Sequence, residues 1–195
     1  HTAEDAVRAS QMIRAAGIRL GHQVMLGLPS DNREKALKSV RQLIRLKPDC
    51  ARIYPTLVIR DTLLAQWYQN GSYTPLHLAE AVDLSKEVLK RFRAAKVQVI
   101  RVGLMNSDGI KIGEDVLAGP YHPAFGALVY DGVSQELKKN AGKTLQIAVH
   151  PRFVSAFVGL KRENINRWKL DFALKEIRII QDEQVKYGEW RILCI

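Results

Sequence analysis

Leu20-Gly21-His22-Gln23-Val24-Met25-Leu26-Gly27-Leu28-Pro29-Ser30-Asp31 is the stretch that decides the fold. Its near-continuous apolar run suits a parallel strand covered on both faces. Pro29 ends the ladder because proline has no N–H to donate. The spacing predicts a helix on either side. Upstream, Ala6, Val7, Ser10, Ile13 and Ala16 share one face, and Gly17 ends the helix. Downstream, Leu37, Val40 and Ile44 form a buried stripe behind a cap at Ser30 or Asp31. A strand that runs through a Gly-Leu-Pro turn into a helix marks a ligand-binding crevice at the strand's C-terminal end.

The same pattern repeats outward. Pro48-Asp49 turns into a second strand over 51–59, with Pro55 ending or bending it. A short helix is predicted over 63–70, and a longer one carries Leu78, Val82, Ser85, Leu89 and Phe92. A third strand covers 97–104. The order α-β-α-β-α-β implies parallel strands joined by right-handed crossovers. Residues 105–115 read as loop, Gly119-Pro120-Tyr121-His122-Pro123 as a rigid connector, and 125–139 as helix. Asn140-Ala141-Gly142-Lys143 marks a domain boundary, giving domains 1–141 and 142–195. Beyond it the order is β-α-α-β-β, a unit small enough to need its neighbour for stability.

Composition narrows the classes. Of 195 residues 47% are apolar, and no run approaches the roughly 20 needed to span a bilayer. A membrane partner is therefore not expected. Cys50 and Cys194 are too few for a disulfide framework or a metal cluster, which fits a reducing cytosol. The net charge of +10 favours a polyanionic partner. Thr2 and Asp5 read as a helix start directly behind His1, so the chain is expected to be a piece of a longer protein.

Several stretches carry family resemblances. Gln23-Val24-Met25-Leu26-Gly27-Leu28-Pro29 with Asp31 resembles the fifth barrel strand of radical SAM enzymes, and His1-Thr2 with its helix resembles the sequence after their fourth strand. Arg52-Ile53-Tyr54-Pro55-Thr56-Leu57-Val58-Ile59-Arg60, then Thr62, Trp67-Tyr68, Gly71 and Tyr73, resembles the sixth-strand region of the radical SAM subunit of the Elongator complex and its bacterial relatives. Gly119-Pro120-Tyr121-His122-Pro123-Ala124-Phe125-Gly126 is similar to bacterial proteins grouped with oxygen-independent coproporphyrinogen oxidases. Val154 to Trp168 is similar to the helix–loop–helix centre of a KH domain. The implied fold class is α/β: half of a radical SAM (β/α) barrel with parallel strands, plus a small α+β KH-like domain.

The resemblance implies reductive cleavage of S-adenosylmethionine by a [4Fe–4S] cluster in a parent enzyme acting on RNA, with transfer RNA as the model. Cluster binding needs three cysteines at Cys-x₃-Cys-x₂-Cys spacing. This chain has no such triplet, so by itself it is expected to bind no cluster and to be inactive, its partner being the missing N-terminal half. Met25 and Gly27 match SAM contacts, with core packing and a plain turn as the alternatives. Gly27 would permit close backbone approach.

Gln23 is expected to face the barrel interior. Arg52 and Tyr54 share one strand face by the two-residue period, and that face is expected to point inward. Arg60 belongs near the rim, where His122 is either a substrate contact or part of a stiff loop. His22 is expected to be structural. In the KH-like unit Gly159 matches the first glycine of Gly-x-x-Gly, while Arg162 replaces the second. Lys161, Arg162, Arg167 and Lys169 are the candidate phosphate contacts.

An open half-barrel is expected to expose an apolar inner face, inviting self-association or cover from 105–115. The rival reading is a non-catalytic RNA-binding protein in which the α/β half only scaffolds the KH-like unit. A third is a radical SAM enzyme acting on a small molecule.

Overall fold

A computed structural model describes residues 2–104, 114–122, 125–129, 137, 139–159 and 162–194. The chain divides into two compact units, His1–Tyr121 and His122–Ile195. That division falls about twenty residues before the Asn140–Lys143 turn, because the helix Phe125–Val129 packs within the second unit.

In the first unit, α1 (Ala3–Ala15) begins at a capping box in which Thr2 and Asp5 satisfy each other's backbone N–H. Then come β1 (Gly21–Leu26), α2 (Arg33–Arg45) and β2 (Cys50–Pro55). Next are β3 (Val58–Ile59), α3 (Leu63–Gln69), α4 (Leu78–Ala94), β4 (Gln98–Val102) and β5 (Val116–Ala118). The strands β1, β2 and β4 form a parallel sheet in that order, as the α-β alternation predicts. β2 stops at Pro55, and β3 leaves the sheet to pair antiparallel with β5.

One face of the parallel sheet is packed by helices. Val24, Leu26, Ala51, Ile53, Val99 and Val102 meet Ala36, Leu37 and Val40 of α2 and Ala81, Leu84, Val88 and Phe92 of α4, all buried. Each Val, Leu, Ile or Phe among them contributes about 1.5–3 kcal/mol by leaving water, and the alanines less. Arg33 adds a surface clamp between the two helices by pairing with Asp83 and Glu87.

Cover on both faces does not hold: on the other face of the sheet Gln23, Arg52 and Arg101 are exposed. That face is also not the bare apolar patch expected of an open half-barrel, since polar side chains alternate with Met25 and Tyr54 along it. Residues 105–113, expected as loop and possible cover, lie outside the described residues. Asn32, not Ser30 or Asp31, caps α2 by accepting the Lys35 N–H at 2.9 Å.

The second unit opens with α5 (Phe125–Val129) and β6 (Thr144–Val149). A 3₁₀ turn at Pro151–Phe153 leads to α6 (Val154–Val158), α7 (Glu163–Asp171), β7 (Glu176–Gln181) and β8 (Trp190–Cys194). From β6 onward this is the β-α-α-β-β order read from the sequence. β6 is central, parallel to β7 and antiparallel to β8. Leu145, Ile147, Val149, Ile165 and Ile177 close its core around Phe157 and Trp168, whose rings meet edge-on at 5.2 Å. Among the described residues no helix is long and apolar enough to cross a membrane.

Candidate functional site

The chemistry-bearing side chains of the first unit stand in rows on the open face of its sheet. Parallel register sets Gln23 opposite Arg52 and Met25 opposite Tyr54. Gln23, Met25, Arg52 and Tyr54 therefore share a face, with Ile53 on the opposite one. Gln23 and Arg52 are exposed, Met25 and Tyr54 half-buried, and the Gln23 amide approaches the Met25 sulfur at 3.6 Å.

The sequence reading missed one member of these rows. Ala51 pairs with Val99, but Arg52 pairs with Arg101, so Ile100 is an extra residue on β4. This bulge turns Arg101 onto the open face beside Arg52. A sequence signal exists: the buried positions Val97, Val99 and Val102 break the two-residue period after Val99.

Gly27, at the end of β1, is held from three directions. Its N–H donates to Asp31 Oδ2 at 3.0 Å, and its carbonyl accepts the Tyr73 hydroxyl proton. A Cβ on Gly27 would lie 2.7 Å from Leu76 Cγ, and its φ of 78° already favours glycine. The close approach that this glycine permits is thus taken by Leu76, and both backbone polar groups of Gly27 are bonded within the chain. Burial, and secondarily the nearby Asp31 charge, pushes the Tyr73 phenol above its ordinary value. The Tyr73 ring belongs to a small core with Val58, Ala65, Leu64, Leu117 and Ala118. The end of β1 is thereby tied to the β3–β5 pair.

Arg60 lies in that same β3–β5 region. Its backbone N–H donates to the Asp115 carbonyl at 2.7 Å, and its Nε to the Glu114 carbonyl at 2.8 Å. With Asp61, Thr62, Gln66 and Gln69 it lines a polar hollow of about 420 Å³. His22 faces the packed side, with its Nε2 3.3 Å from Ser10 Oγ, and burial lowers its pKa. His122 begins the second unit, half-buried, its carbonyl accepting the Phe125 N–H at 2.9 Å.

In the second unit the α6–α7 turn starts at Gly159, with φ 76°, directly over Asn164. Asn164 is 2% exposed and donates its Nδ2 proton to the Phe157 carbonyl at 2.9 Å, which fixes the turn from beneath. Arg162 is exposed and left-handed, φ 60°, so it adopts the backbone that a glycine would take. Within α7, Lys169 is two residues beyond Arg167 and so lies on the opposite side of the helix, while Arg162 stands just before its first turn. Lys161 is outside the described residues.

Among the described residues no three or more His, Cys, Asp or Glu side chains group in a way that could hold a metal ion. With two cysteines in the whole sequence, this chain's residues do not fit the three-thiolate set of a radical SAM cluster.

Comparison with known proteins agrees with this architecture. Residues 48–139 match the Radical_SAM C-terminal domain. The chain is 29% identical over 118 residues to a tRNA uridine(34) acetyltransferase of Methanocaldococcus jannaschii, covering 57% of this chain and 22% of the relative. It is 25% identical over 92 residues to mouse Elongator complex protein 3, covering 46% and 17% of the two chains. The solved structure of Methanocaldococcus infernus Elp3 with an N-terminal deletion superposes with a TM-score of 0.55 at 25% identity, over 70% of this chain and 31% of that one. The chain thus spans about a fifth of the length of these two curated relatives. Residues 48–139 therefore match a radical SAM C-terminal domain, and the chain that carries them is similar, over part of their length, to Elongator-like proteins.

Proposed function

We propose that the first unit is the part of a radical SAM barrel wall that faces cofactor and substrate, in an enzyme that modifies RNA, transfer RNA above all. The observation that carries this reading is the asymmetry of the β1–β2–β4 sheet: one face is sealed by α2 and α4, while the other presents Gln23, Met25, Arg52 and Tyr54. In a (β/α) barrel the helix-free face is the interior, and chemistry gathers at the C-terminal ends of the strands. The net charge of +10 and the tRNA-modifying relatives support RNA as substrate. S-adenosylmethionine, bound with a [4Fe–4S] cluster, supplies a hydrogen-abstracting radical in this family. The cluster's thiolates must come from outside these residues.

What the present residues do is position. Asp31, Tyr73 and Leu76 immobilise the Gly27 turn, so that Met25 and Tyr54, side by side near the strand ends, offer a fixed half-buried surface to an adenine or a base. Residues 142–195 serve in this reading as a KH-like unit, with the turn from Gly159 to Arg162 set against nucleic-acid backbone. The left-handed Arg162 supports it, since the chain path there is the one a second glycine would give.

The test is reconstitution of the full-length protein with iron and sulfide, followed by reduction with SAM present. Release of 5′-deoxyadenosine, stimulated by tRNA, is the expected result. RNA binding with no 5′-deoxyadenosine would favour the non-catalytic binder instead.

A further inference from the structure

The geometry points to an oxyanion site on the open face of the first sheet, built from Arg52 on β2, Arg101 on β4 and the Gln23 amide on β1, with a nucleotide phosphate as its ligand. It rests on the reading of this face as the substrate side, and it names the part of the substrate held there.

Arg52 is in register with Gln23 on one neighbour and with Arg101 on the other, so the three side chains stand in one row across adjacent strands, about 4.8 Å apart. All three are exposed. Like charges directly opposite in a sheet repel. Yet neither arginine enters an ion pair among the described residues, although Arg33 and Arg91 in the same unit both find acidic partners. Local structure does not avoid this juxtaposition but creates it. A regular β4 would set Ile100 opposite Arg52 and turn Arg101 toward the helices; the bulge reverses that. Two uncompensated guanidinium groups on neighbouring strands, with an amide donor beside them, can each present a fork of N–H groups to one oxyanion.

A phosphate fits better than a lone carboxylate because two cations match a charge between one and two, and because an aromatic ring lies beside them. Tyr54 is two residues beyond Arg52 on the same face, about 6–7 Å nearer the C-terminal end of the strands. Its half-buried ring can stack a base while the arginines hold that nucleotide's phosphate.

The experiment titrates the 195-residue chain with uridine 5′-monophosphate, uridine, inorganic phosphate and a short single-stranded RNA, using phosphorus NMR and fluorescence anisotropy. The parent sequence is compared with Arg52→Gln, Arg101→Gln and Arg101→Lys, each checked for fold by circular dichroism. The monophosphate should bind, compete with inorganic phosphate and weaken as salt rises. Each glutamine variant should weaken it about tenfold or more, and Arg101→Lys should restore only part, because lysine has no fork. Binding of RNA without the mononucleotide, lost in the glutamine variants, would identify a strand phosphodiester as the source; such binding unchanged in those variants would overturn the site. Variant-sensitive binding of both would show that a free nucleotide suffices. Equal binding by parent and glutamine variants, equal competition by uridine, or no binding by the parent chain would overturn the site. Failure of the site and of the enzyme reading are separable. If the full-length protein makes 5′-deoxyadenosine while Arg101→Gln binds nucleotide normally, only the site falls. If nucleotide binding depends on both arginines but no 5′-deoxyadenosine forms, only the enzyme reading falls.

Discussion

In the second unit, Arg178 lies 3.0 Å from Glu176 and Arg191 2.9 Å from Asp182, whereas on the open sheet of the first unit Arg52 and Arg101 stand opposite each other with no acid between them. The paired arginines are exposed too, and exposed pairs contribute at most about 1 kcal/mol. Stability is therefore not what separates the two regions. One sheet neutralises its own charge with short local pairs; the other leaves charge standing where a ligand would have to supply the counter-charge. Within the first sheet the contrast repeats between its faces, one an apolar seam against helices and the other a row of polar heads.

The sharpest way to break this contrast is to strike the seam. Phe92 is fully buried under α4, and Phe92→Ala should cost about 3–5 kcal/mol, read as a lower urea midpoint with an unchanged m-value. A loss below about 1 kcal/mol would mean that the helices do not form the core of this unit. The next effect is the tie at Gly27. Tyr73→Phe leaves the ring in its small core and removes only the hydroxyl, so a loss of about 0.5–1.5 kcal/mol by chemical denaturation is expected. A smaller loss is expected on acidification. Burial lowers the His22 pKa, so the unfolded chain takes up the proton first and stability falls as pH drops through about 6.5 and below. Thermal melts of His22→Gln should lack that slope. The smallest effect belongs to the open face, where Arg52→Gln and Arg101→Gln should shift stability by no more than about 0.5 kcal/mol, toward greater stability if either way. A loss above about 1 kcal/mol in either would show the arginine to be structural and erase the difference between the two sheets.

Much of the architecture was legible. Helical periodicity and the placement of Gly and Pro gave three parallel strands in order, and the β-α-α-β-β order of the second unit. These are local signals, set by side-chain period and by missing N–H groups. What stayed hidden depends on partners far along the chain. Pairing of Val58–Ile59 with Val116–Ala118 spans more than fifty residues, and a two-residue strand has no period to read. The α2 cap fell to Asn32 because Asp31 is occupied by the Gly27 N–H, a competition that equally good capping residues cannot reveal. The shared face of Arg52 and Tyr54 followed from alternation, Gln23 joins it through the β1–β2 register, and Arg101 was missed because one extra residue reverses the alternation. At Gly27 the sequence allows a close approach without naming what approaches, and Leu76, which lies against it, comes from a loop some fifty residues downstream.

The Tyr73 hydroxyl on the Gly27 carbonyl reaches across 46 positions of sequence. Surface connections such as 71–75 ordinarily absorb insertions at little thermodynamic expense, but lengthening this one by a residue ahead of Tyr73 would pull the phenol off the strand terminus. Among homologues, the spacing between α3 and that tyrosine should therefore vary less than its neighbours' residue types do. Length, rather than composition, is what this connection has to preserve.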